Sequence, residues 1–202
     1  MVTNFISLDR ARPLHAYDAA KLQGAVTARL GKKGEKLVAI DGKTYEIGEE
    51  MCVIADDSGA IGLGGVMGGE ATGVTDETTD VFIESAYFDP LRTARTGRAT
   101  GILSDARYRY ERGIDPHSCK DGLELASQLI LDVCGGEASE MVVAGAPPTP
   151  DAPVQFNLGD VKRLTGVDVK QSEMRTILKD LGCEVEDAGE AWYVKTPGWR
   201  PV

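Results

Sequence analysis

Residues 81–113 read VFIESAYFDPLRTARTGRATGILSDARYRYERG. The stretch opens with β-branched and aromatic residues that predict a strand, in which Phe82 and Glu84 share one face because strand side chains alternate. Asp89-Pro90 predicts the start of a helix, since aspartate caps helices and proline suits their first position. Ser104-Asp105 predicts the start of a second helix. We therefore expect a strand followed by two short helices.

Six arginines follow Glu84 in this stretch: Arg92, Arg95, Arg98, Arg107, Arg109 and Arg112. The chain as a whole is acidic, with a formal net charge of −10. A protein that attracts nucleic acid by long-range electrostatics is rarely so acidic, so any contact with RNA is expected to be local. The mixed arginines and tyrosines of the second helix suit a ribose-phosphate backbone with a stacked base, and equally an ion-paired helix surface.

Length and composition predict a soluble globular protein, because 202 residues with 42% hydrophobic content can form one full domain and a smaller one. No apolar run approaches the roughly 20 residues of a membrane helix, and the first ten residues lack the pattern of a signal peptide. The expected location is the cytoplasm. The four cysteines and two histidines are widely spaced, which argues against a metal site or a disulfide framework.

Short alternating runs between residues 24 and 55 predict a β-meander, with a hairpin turn at Asp41-Gly42. The glycine-rich segment at residues 59–70 lacks the spacing of a dinucleotide-binding loop, because Met67 occupies a position that needs glycine. No Gly-Lys-Ser/Thr follows for a phosphate loop either. Its glycines instead indicate a tight turn whose backbone lies close to another strand or to a ligand.

The rest of the chain predicts two domains of an α+β protein. Residues 118–134 form an amphipathic helix expected to cover a sheet, and residues 147–153 form a proline-rich linker. We therefore place one domain at residues 1–146, with layered mixed β-sheets and covering helices, and a second at residues 154–202. Two helices and a hairpin in the second domain resemble a partial winged-helix-like module, which the end of the chain is expected to truncate.

Two residues are candidates for a functional role because of the sequence around them. Glu84 lies in an apolar run, so it either faces solvent, as most glutamates do, or occupies a pocket. His15 follows Pro13 at an element boundary and is either a packed or surface residue or a functional one. The sequence shows no Ser-His-Asp or Cys-His arrangement, so we assign no covalent catalysis.

Several motifs in one order carry a family resemblance: TNF at residues 3–5, RPLHAYD at 12–18, GGVMGGE at 64–70, IESA at 83–86 and SDARYRYERGIDP at 104–116. Together they resemble the B3/B4 editing region of the bacterial phenylalanyl-tRNA synthetase beta subunit, over residues 3–147. Residues 154–202 resemble the first part of that subunit's B5 domain. Several long motifs in one order are much more specific than any single motif.

The resemblance implies a B3/B4-type fold and an editing reaction, in which water hydrolyses the ester that joins wrongly attached tyrosine to the phenylalanine tRNA. Glu84 corresponds to the carboxylate that recognises the tyrosine hydroxyl. The other implied positions are Gly65, Gly68 and Ala106 along the amino-acid pocket, Asn4 as a polar pocket residue, and His15 and Ser104 beside the ester. Ser104 stands where the family usually has threonine, which removes a methyl group and keeps the hydroxyl.

The implied partners are the 3′ end of tRNA(Phe) carrying tyrosine and the synthetase alpha subunit of the parent heterotetramer. The segment itself is expected to need no cofactor, whereas the parent enzyme uses ATP and Mg²⁺, and neither a membrane nor DNA is an expected partner. Candidate RNA contacts are Arg95, Arg98, Arg107 and Arg109. The alternative functions are a noncatalytic tRNA-binding module and a subunit-packing module.

Overall fold

The computed structural model describes residues 2–149, 152–189 and 191–200. The chain divides between Gly145 and Ala146 into two compact units. Residues 150 and 151 of the predicted linker, and residues 1, 190, 201 and 202 of the predicted domains, lie outside the described residues. Helices combined with several sheets confirm the predicted α+β class, and the strand pairs within these sheets are antiparallel.

The first unit contains four α-helices and eight strands among its described residues. The helices are α1 (Val2–Arg10), α2 (Pro90–Thr100), α3 (Asp105–Tyr110) and α4 (Cys119–Cys134), with 3₁₀ turns at Ala19–Lys21 and Pro116–Ser118. The strands are β1 (His15–Asp18), β2 (Thr27–Leu30), β3 (Lys36–Val38), β4 (Thr44–Glu46), β5 (Cys52–Asp56), β6 (Gly59–Leu63), β7 (Met67–Gly68) and β8 (Val81–Glu84).

The predicted β-meander is wrong in its strand order. Strand β2 pairs with β5, and the sheet runs β2-β5-β6-β7, while β3 and β4 form a separate hairpin. The hairpin remains close to the sheet: Leu37 of β3 packs into the same buried core as Val53 and Leu63, and the Ile40 amide donates to the Gly68 carbonyl over 3.1 Å. The predicted turn at Asp41-Gly42 is confirmed, with Gly42 in the left-handed region at φ +75° that glycine adopts without steric cost.

The glycine-rich segment forms the predicted tight turn between β6 and β7. Gly62 pairs with Gly68 across this turn, and the amide of Gly69 donates to the Ile61 carbonyl over 2.8 Å. A Cβ at Gly69 would lie 2.5 Å from that carbonyl oxygen, closer than van der Waals contact permits. The close approach of the two strands therefore requires glycine at this position.

Strands β1 and β8 form a two-stranded antiparallel sheet that presents four side chains on one face. His15 lies opposite Glu84, and Tyr17 lies opposite Phe82. Directly opposed residues of an antiparallel pair point to the same face, as do residues two apart along a strand. The rings of His15 and Tyr17 accordingly meet edge to face, 4.5 Å apart. This face becomes one wall of the site described below.

The predicted helix starts at Asp89 and Ser104 are confirmed. The Asp89 side chain accepts from the Arg92 amide over 2.7 Å, and the Ser104 hydroxyl accepts from the Arg107 amide over 3.1 Å. Gly101 ends α2 at φ +70°. The two helices therefore meet at a short corner beside the β6–β7 turn.

Helix α4 is predicted to cover a sheet, and the structure packs it against α1. Gly122 and Ala126 form its buried stripe, and Val133 at its end is 70% exposed. The difference arises because residues 2–10 form a helix that the sequence analysis did not predict, and α1 buries Ile6.

The second unit is a three-stranded antiparallel sheet with two helices. Strands β9 (Val154–Asn157), β10 (Glu184–Ala188) and β11 (Ala191–Lys195) are arranged β10-β11-β9, and the helices are α5 (Leu158–Thr165) and α6 (Gln171–Asp180). The two helices and the hairpin were predicted, whereas β9 was not. A small core of Met174, Cys183, Trp192 and Val194 holds this unit together.

Candidate functional site

A cavity of about 70 Å³ lies between the β1–β8 sheet, the β6–β7 turn and α3. It brings together five of the predicted site residues: His15, Gly65, Gly68, Glu84 and Ala106. The remaining lining includes Tyr17, Phe88 and Tyr110, which belong to one buried aromatic and aliphatic cluster. An apolar cavity with a few converging polar groups is typical of a small-molecule site.

Glu84 lies in the wall of the cavity. Of the two alternatives that the sequence leaves open, a solvent-facing glutamate and a glutamate in a pocket, the structure shows the second. The Tyr17 hydroxyl donates to Glu84 Oε2 over 2.7 Å, and within the described part of the chain Oε1 accepts no hydrogen bond. Burial raises the pKa of the Glu84 carboxyl, and the hydrogen bond from Tyr17 opposes that rise. Glu84 therefore offers one acceptor to a ligand in the cavity.

His15 lies directly across the strand pair from Glu84 and contributes an unpaired polar atom to the same cavity. Its Nε2 is buried and has no hydrogen-bond partner among the described residues. Burial lowers the pKa of the imidazole, so the ring is neutral near pH 7. A neutral imidazole with a free nitrogen can hold a water molecule or accept a proton from one.

Gly68 leaves room for His15. A Cβ at Gly68 would lie 2.2 Å from His15 Cε1 and 2.5 Å from Nε2, so any side chain there would displace the imidazole. The resemblance implies a place for Gly68 along the amino-acid pocket. In the structure, the space that a Cβ of residue 68 would need is occupied by the His15 ring.

Gly65 has both a conformational and a packing role in the turn. It lies at φ +71°, and a Cβ there would approach the Phe88 ring to 2.9 Å. The same ring would meet a Cβ at Gly64 at 2.6 Å. The glycine pair therefore lets Phe88 pack across the turn and form part of the cavity wall.

Ala106 and Ser104 lie at the start of α3 but contact different surroundings. Ala106 lines the cavity, as the sequence predicts. The Ser104 hydroxyl donates to the Val66 carbonyl over 2.6 Å, and Ser104 is not among the residues that line this cavity. Its hydroxyl ties α3 to the β6–β7 turn, which departs from the expected position beside the ester.

Asn4 also departs from its expected position. It lies in α1, a helix whose buried residue is Ile6, and its side chain is exposed. Asn4 is not among the residues that line the cavity. The reason is that residues 2–10 form a helix packed on α4, which holds Asn4 away from the β1–β8 face.

The candidate RNA-binding arginines separate into two groups. Arg107 forms an ion pair with Glu111 at 2.9 Å and donates to the Gly97 carbonyl at 3.1 Å and to the Ile102 carbonyl. Arg109 lies on the same helix and donates to the Asp105 carbonyl over 3.2 Å. These contacts show that Arg107 and Arg109 are engaged within the fold, which favours the ion-paired alternative for α3.

Arg95 and Arg98 form the second group and are exposed on α2. Neither makes a hydrogen bond or an ion pair with the part of the chain that the structure describes. Arg112 stacks over the Tyr108 ring, 3.6 Å from its centroid, and Tyr108 is itself 57% exposed. Of the six arginines between residues 92 and 112, Arg95 and Arg98 are therefore the ones whose charge is free of partners among the described residues.

Arg12 and Tyr17 shape the site, and the sequence analysis assigned no role to either. Arg12 is 2% exposed and donates to the Ala86 carbonyl at 2.8 Å and to the Ser118 hydroxyl at 3.0 Å. It thereby joins the segment after β8 to the 3₁₀ turn before α4. Arginine is rarely buried, so no pattern marks Arg12, whereas the strand period places Tyr17 beside His15.

Within the described residues, no group of three His, Cys, Asp or Glu side chains could hold a metal ion, and the cysteines are free. Burial raises the pKa of the Cys52 thiol, which stays protonated near neutral pH. No described helix is long and apolar enough to cross a membrane. The cavity thus offers one carboxylate, one neutral imidazole and backbone groups for hydrogen bonding and proton transfer.

Two known domain families match different parts of the chain. The B3/4 domain family matches residues 2–135, and the tRNA synthetase B5 domain family matches residues 154–201. The chain therefore belongs to the B3/4 domain family, with a B5 segment after it.

Its sequence corresponds throughout to a segment of phenylalanine–tRNA ligase beta subunits. The beta subunit of Rhodospirillum rubrum is 54% identical over 201 residues, which cover 98% of this chain and 25% of that protein. Those of Paramagnetospirillum magneticum and Mesorhizobium japonicum are 50% and 48% identical, with coverage of 98% and 99% of this chain and 25% of each relative. The chain spans about a quarter of the length of these relatives.

Among solved structures, a similar one is an N-terminal fragment of the phenylalanyl-tRNA synthetase beta subunit from Pyrococcus horikoshii. It is 18% identical, with a TM-score of 0.43, and the match covers 98% of this chain and 59% of that chain.

Proposed function

We propose that the first unit hydrolyses the ester between tyrosine and the 3′ end of tRNA(Phe), as the editing domain of a phenylalanine–tRNA ligase beta subunit. The observation that supports this most is the open Oε1 of Glu84 in a cavity that also holds the unpaired Nε2 of His15. One group suits recognition of a hydroxyl, and the other suits activation of water.

Recognition of tyrosine against phenylalanine needs such a carboxylate. An apolar synthetic pocket rejects an added hydroxyl by only about 100-fold, whereas a site built to pair with the hydroxyl discriminates by roughly 10⁴ to 10⁵. Phenylalanine bound here would leave Oε1 of Glu84 buried beneath its ring without a donor, which costs free energy. The cavity therefore favours the amino acid that the ligation step wrongly admits.

The reaction that these groups support is direct attack by water. The water oxygen bonds to the ester carbonyl carbon and loses its proton, the bond from that carbon to the ribose oxygen breaks, and the ribose oxygen takes up a proton to become the free ribose hydroxyl, which leaves free tyrosine. Neutral His15 can orient the water or accept its proton, and a ribose hydroxyl of the tRNA can assist. The hydroxyl of Ser104 is already held by the Val66 carbonyl, so we assign it a structural role at the start of α3.

The proposal extends to the parent enzyme's partners. We propose tRNA(Phe) and the alpha subunit as partners, and assign ligation with ATP and Mg²⁺ to other parts of the parent enzyme. Exposed Arg95 and Arg98 are the proposed RNA contacts. The alternatives remain a noncatalytic tRNA-binding module, which predicts RNA binding without hydrolysis, and a subunit-packing module, which predicts no ligand effect from any cavity substitution.

The test compares tyrosine and phenylalanine binding by NMR, together with deacylation of tyrosyl-tRNA(Phe). Glu84→Gln removes the charge at nearly constant size, so tyrosine binding should weaken by about tenfold or more while phenylalanine binding does not weaken. Glu46→Gln is the matched control, because Glu46 lies on β4 and its side chain is 87% exposed. Equal binding of the two amino acids by the wild-type protein and no deacylation would refute the proposal.

A further inference from the structure

Tyr17 lies on the face of the β1–β8 sheet that carries His15 and Glu84, and it is 1% exposed. Its ring packs in the cluster that contains Ile54, Ile61 and Phe88. A phenol buried at this depth needs a partner for its hydroxyl. The partner it has is the Oε2 atom of Glu84, 2.7 Å away.

The hydrogen bond changes what Glu84 can recognise. A protonated carboxyl can donate or accept, so a ligand without a hydroxyl could still be tolerated beside it, whereas an ionised carboxylate only accepts. Burial favours the protonated form, and a donor on Oε2 favours the ionised one. With a donor already on Oε2, the carboxylate oxygen that has no donor among the described residues is Oε1.

We propose that Tyr17 is a positioning residue for substrate selection: its hydroxyl holds Oε2, favours the ionised form of Glu84 against the effect of burial, and leaves Oε1 free to accept from a ligand hydroxyl. The substrate part of this inference rests on the proposed function. The effect on the carboxylate rests on the geometry alone.

The ionisable groups that face Glu84 come from three elements. His15 lies opposite it on β1 with Tyr17 beside it, Cys52 faces it from β5, and Tyr110 faces it from α3. Burial lowers the pKa of His15 and raises those of Tyr17, Cys52 and Tyr110, so these four groups are neutral near pH 7.

Two arginines act on these neighbours. The Arg92 guanidinium lowers the pKa of Cys52 against the effect of burial, and the Arg12 guanidinium does the same for Tyr110. Only His15 therefore gains charge as the pH falls below neutral, and its own NMR signals separate its titration from that of Glu84.

The experiment follows the ¹³C signal of the Glu84 carboxyl against pH in the wild-type chain, in Tyr17→Phe and in Tyr45→Phe. Tyr17→Phe removes the donor and keeps the ring. Tyr45→Phe is the matched control, because Tyr45 donates to Asp41 Oδ2 over 2.8 Å and does not line the cavity.

Losing the donor destabilises the ionised form of Glu84. The pH at the midpoint of the Glu84 titration curve should therefore rise by about one pH unit in Tyr17→Phe. It should stay in place in Tyr45→Phe. Tyrosine binding near this midpoint should weaken by about tenfold in Tyr17→Phe, with phenylalanine binding unchanged. A purely structural role for Tyr17 would leave the midpoint where it is.

A Glu84 midpoint that does not move in folded Tyr17→Phe overturns the inference. A midpoint that moves in a chain without preference for tyrosine supports the role of Tyr17 on the carboxylate, and counts against the proposed function instead. If Tyr17→Phe does not fold, a measurement on the wild-type chain tests the inference instead. The chemical shift of Tyr17 Cζ must change over the pH range in which Glu84 titrates. A Tyr17 Cζ shift that stays constant over that range overturns the inference.

Discussion

Gly68 and His15 show how one missing side chain positions a catalytic candidate. The imidazole lies where a Cβ of residue 68 would stand, 2.2 Å from its Cε1. The same ring contacts Tyr17 edge to face on its own strand. The position of Nε2 in the cavity is therefore set by two strands at once, and the β6–β7 turn must stay free of side chains there.

The first prediction concerns this contact. Gly68→Ala should displace the His15 ring and lower deacylation of tyrosyl-tRNA(Phe) by about 100-fold, because misplacing a reacting group by about 1 Å has that effect. The displacement is read from the ring signals of His15 in NMR spectra, and the rate from release of tyrosine.

Gly159→Ala is the control for this prediction. Gly159 lies in α5 with open space around it, so the added methyl should leave the rate unchanged and stabilise the helix by about 0.5–1 kcal/mol. An unshifted His15 signal with an unchanged rate in Gly68→Ala would contradict the assignment.

The corner between α2 and α3 is the element that separates structural arginines from available ones. Arg107 closes it with bonds to the Gly97 and Ile102 carbonyls and to Glu111. A Cβ at Gly97 would lie 2.0 Å from Arg107 Nε, so the guanidinium packs tightly against the α2 backbone. Arg98 of α2 is exposed and has no such contact with the described residues.

The second prediction compares these two arginines. Arg107→Ala should lower the free energy of unfolding by about 2–3 kcal/mol, because two carbonyls and a carboxylate lose their donor. Arg98→Ala should change it by less than about 0.5 kcal/mol and should weaken RNA binding in a salt-dependent manner.

Urea denaturation measures the two stabilities, and a salt series with a tRNA acceptor-end oligonucleotide measures the binding. Full stability in Arg107→Ala together with lost RNA binding would assign Arg107 to the RNA and not to the fold.

The whole molecule contains two units with separate buried cores. The first unit has two buried clusters around β5, β6 and the cavity, and the second has one small cluster around Trp192. Both tryptophans of the chain, Trp192 and Trp199, belong to the second unit. Tryptophan fluorescence therefore reports on the second unit.

The third prediction is that the two units unfold separately. The second unit has fewer than 60 residues and one small core, and domains of this size are only marginally stable. Its tryptophan fluorescence should therefore change at a lower urea concentration than the main far-ultraviolet circular dichroism transition.

Trp199→Phe isolates the buried reporter, since Trp199 is 67% exposed and Trp192 is 2% exposed. Coincident transitions by the two probes in this variant would show that the chain unfolds as one cooperative unit.

Local chemistry allowed several elements to be predicted from the sequence by itself. The Asp89 and Ser104 caps, the Asp41-Gly42 hairpin and the glycine turn depend on neighbours within a few residues, and each is confirmed. The family was also recognisable, because its motifs are long and occur in one order.

Only the tertiary structure decided which distant residues meet. The β2–β5 pairing, the packing of α4 on α1 and the burial of Arg12 depend on the faces that become buried together, and no local pattern carries that information. The same holds for the site: sequence indicated Glu84 and His15, but the partnership of Glu84 with Tyr17 and of His15 with Gly68 comes from strands far apart in the chain. Burial in a shared core created those contacts, and burial is a property of the folded molecule.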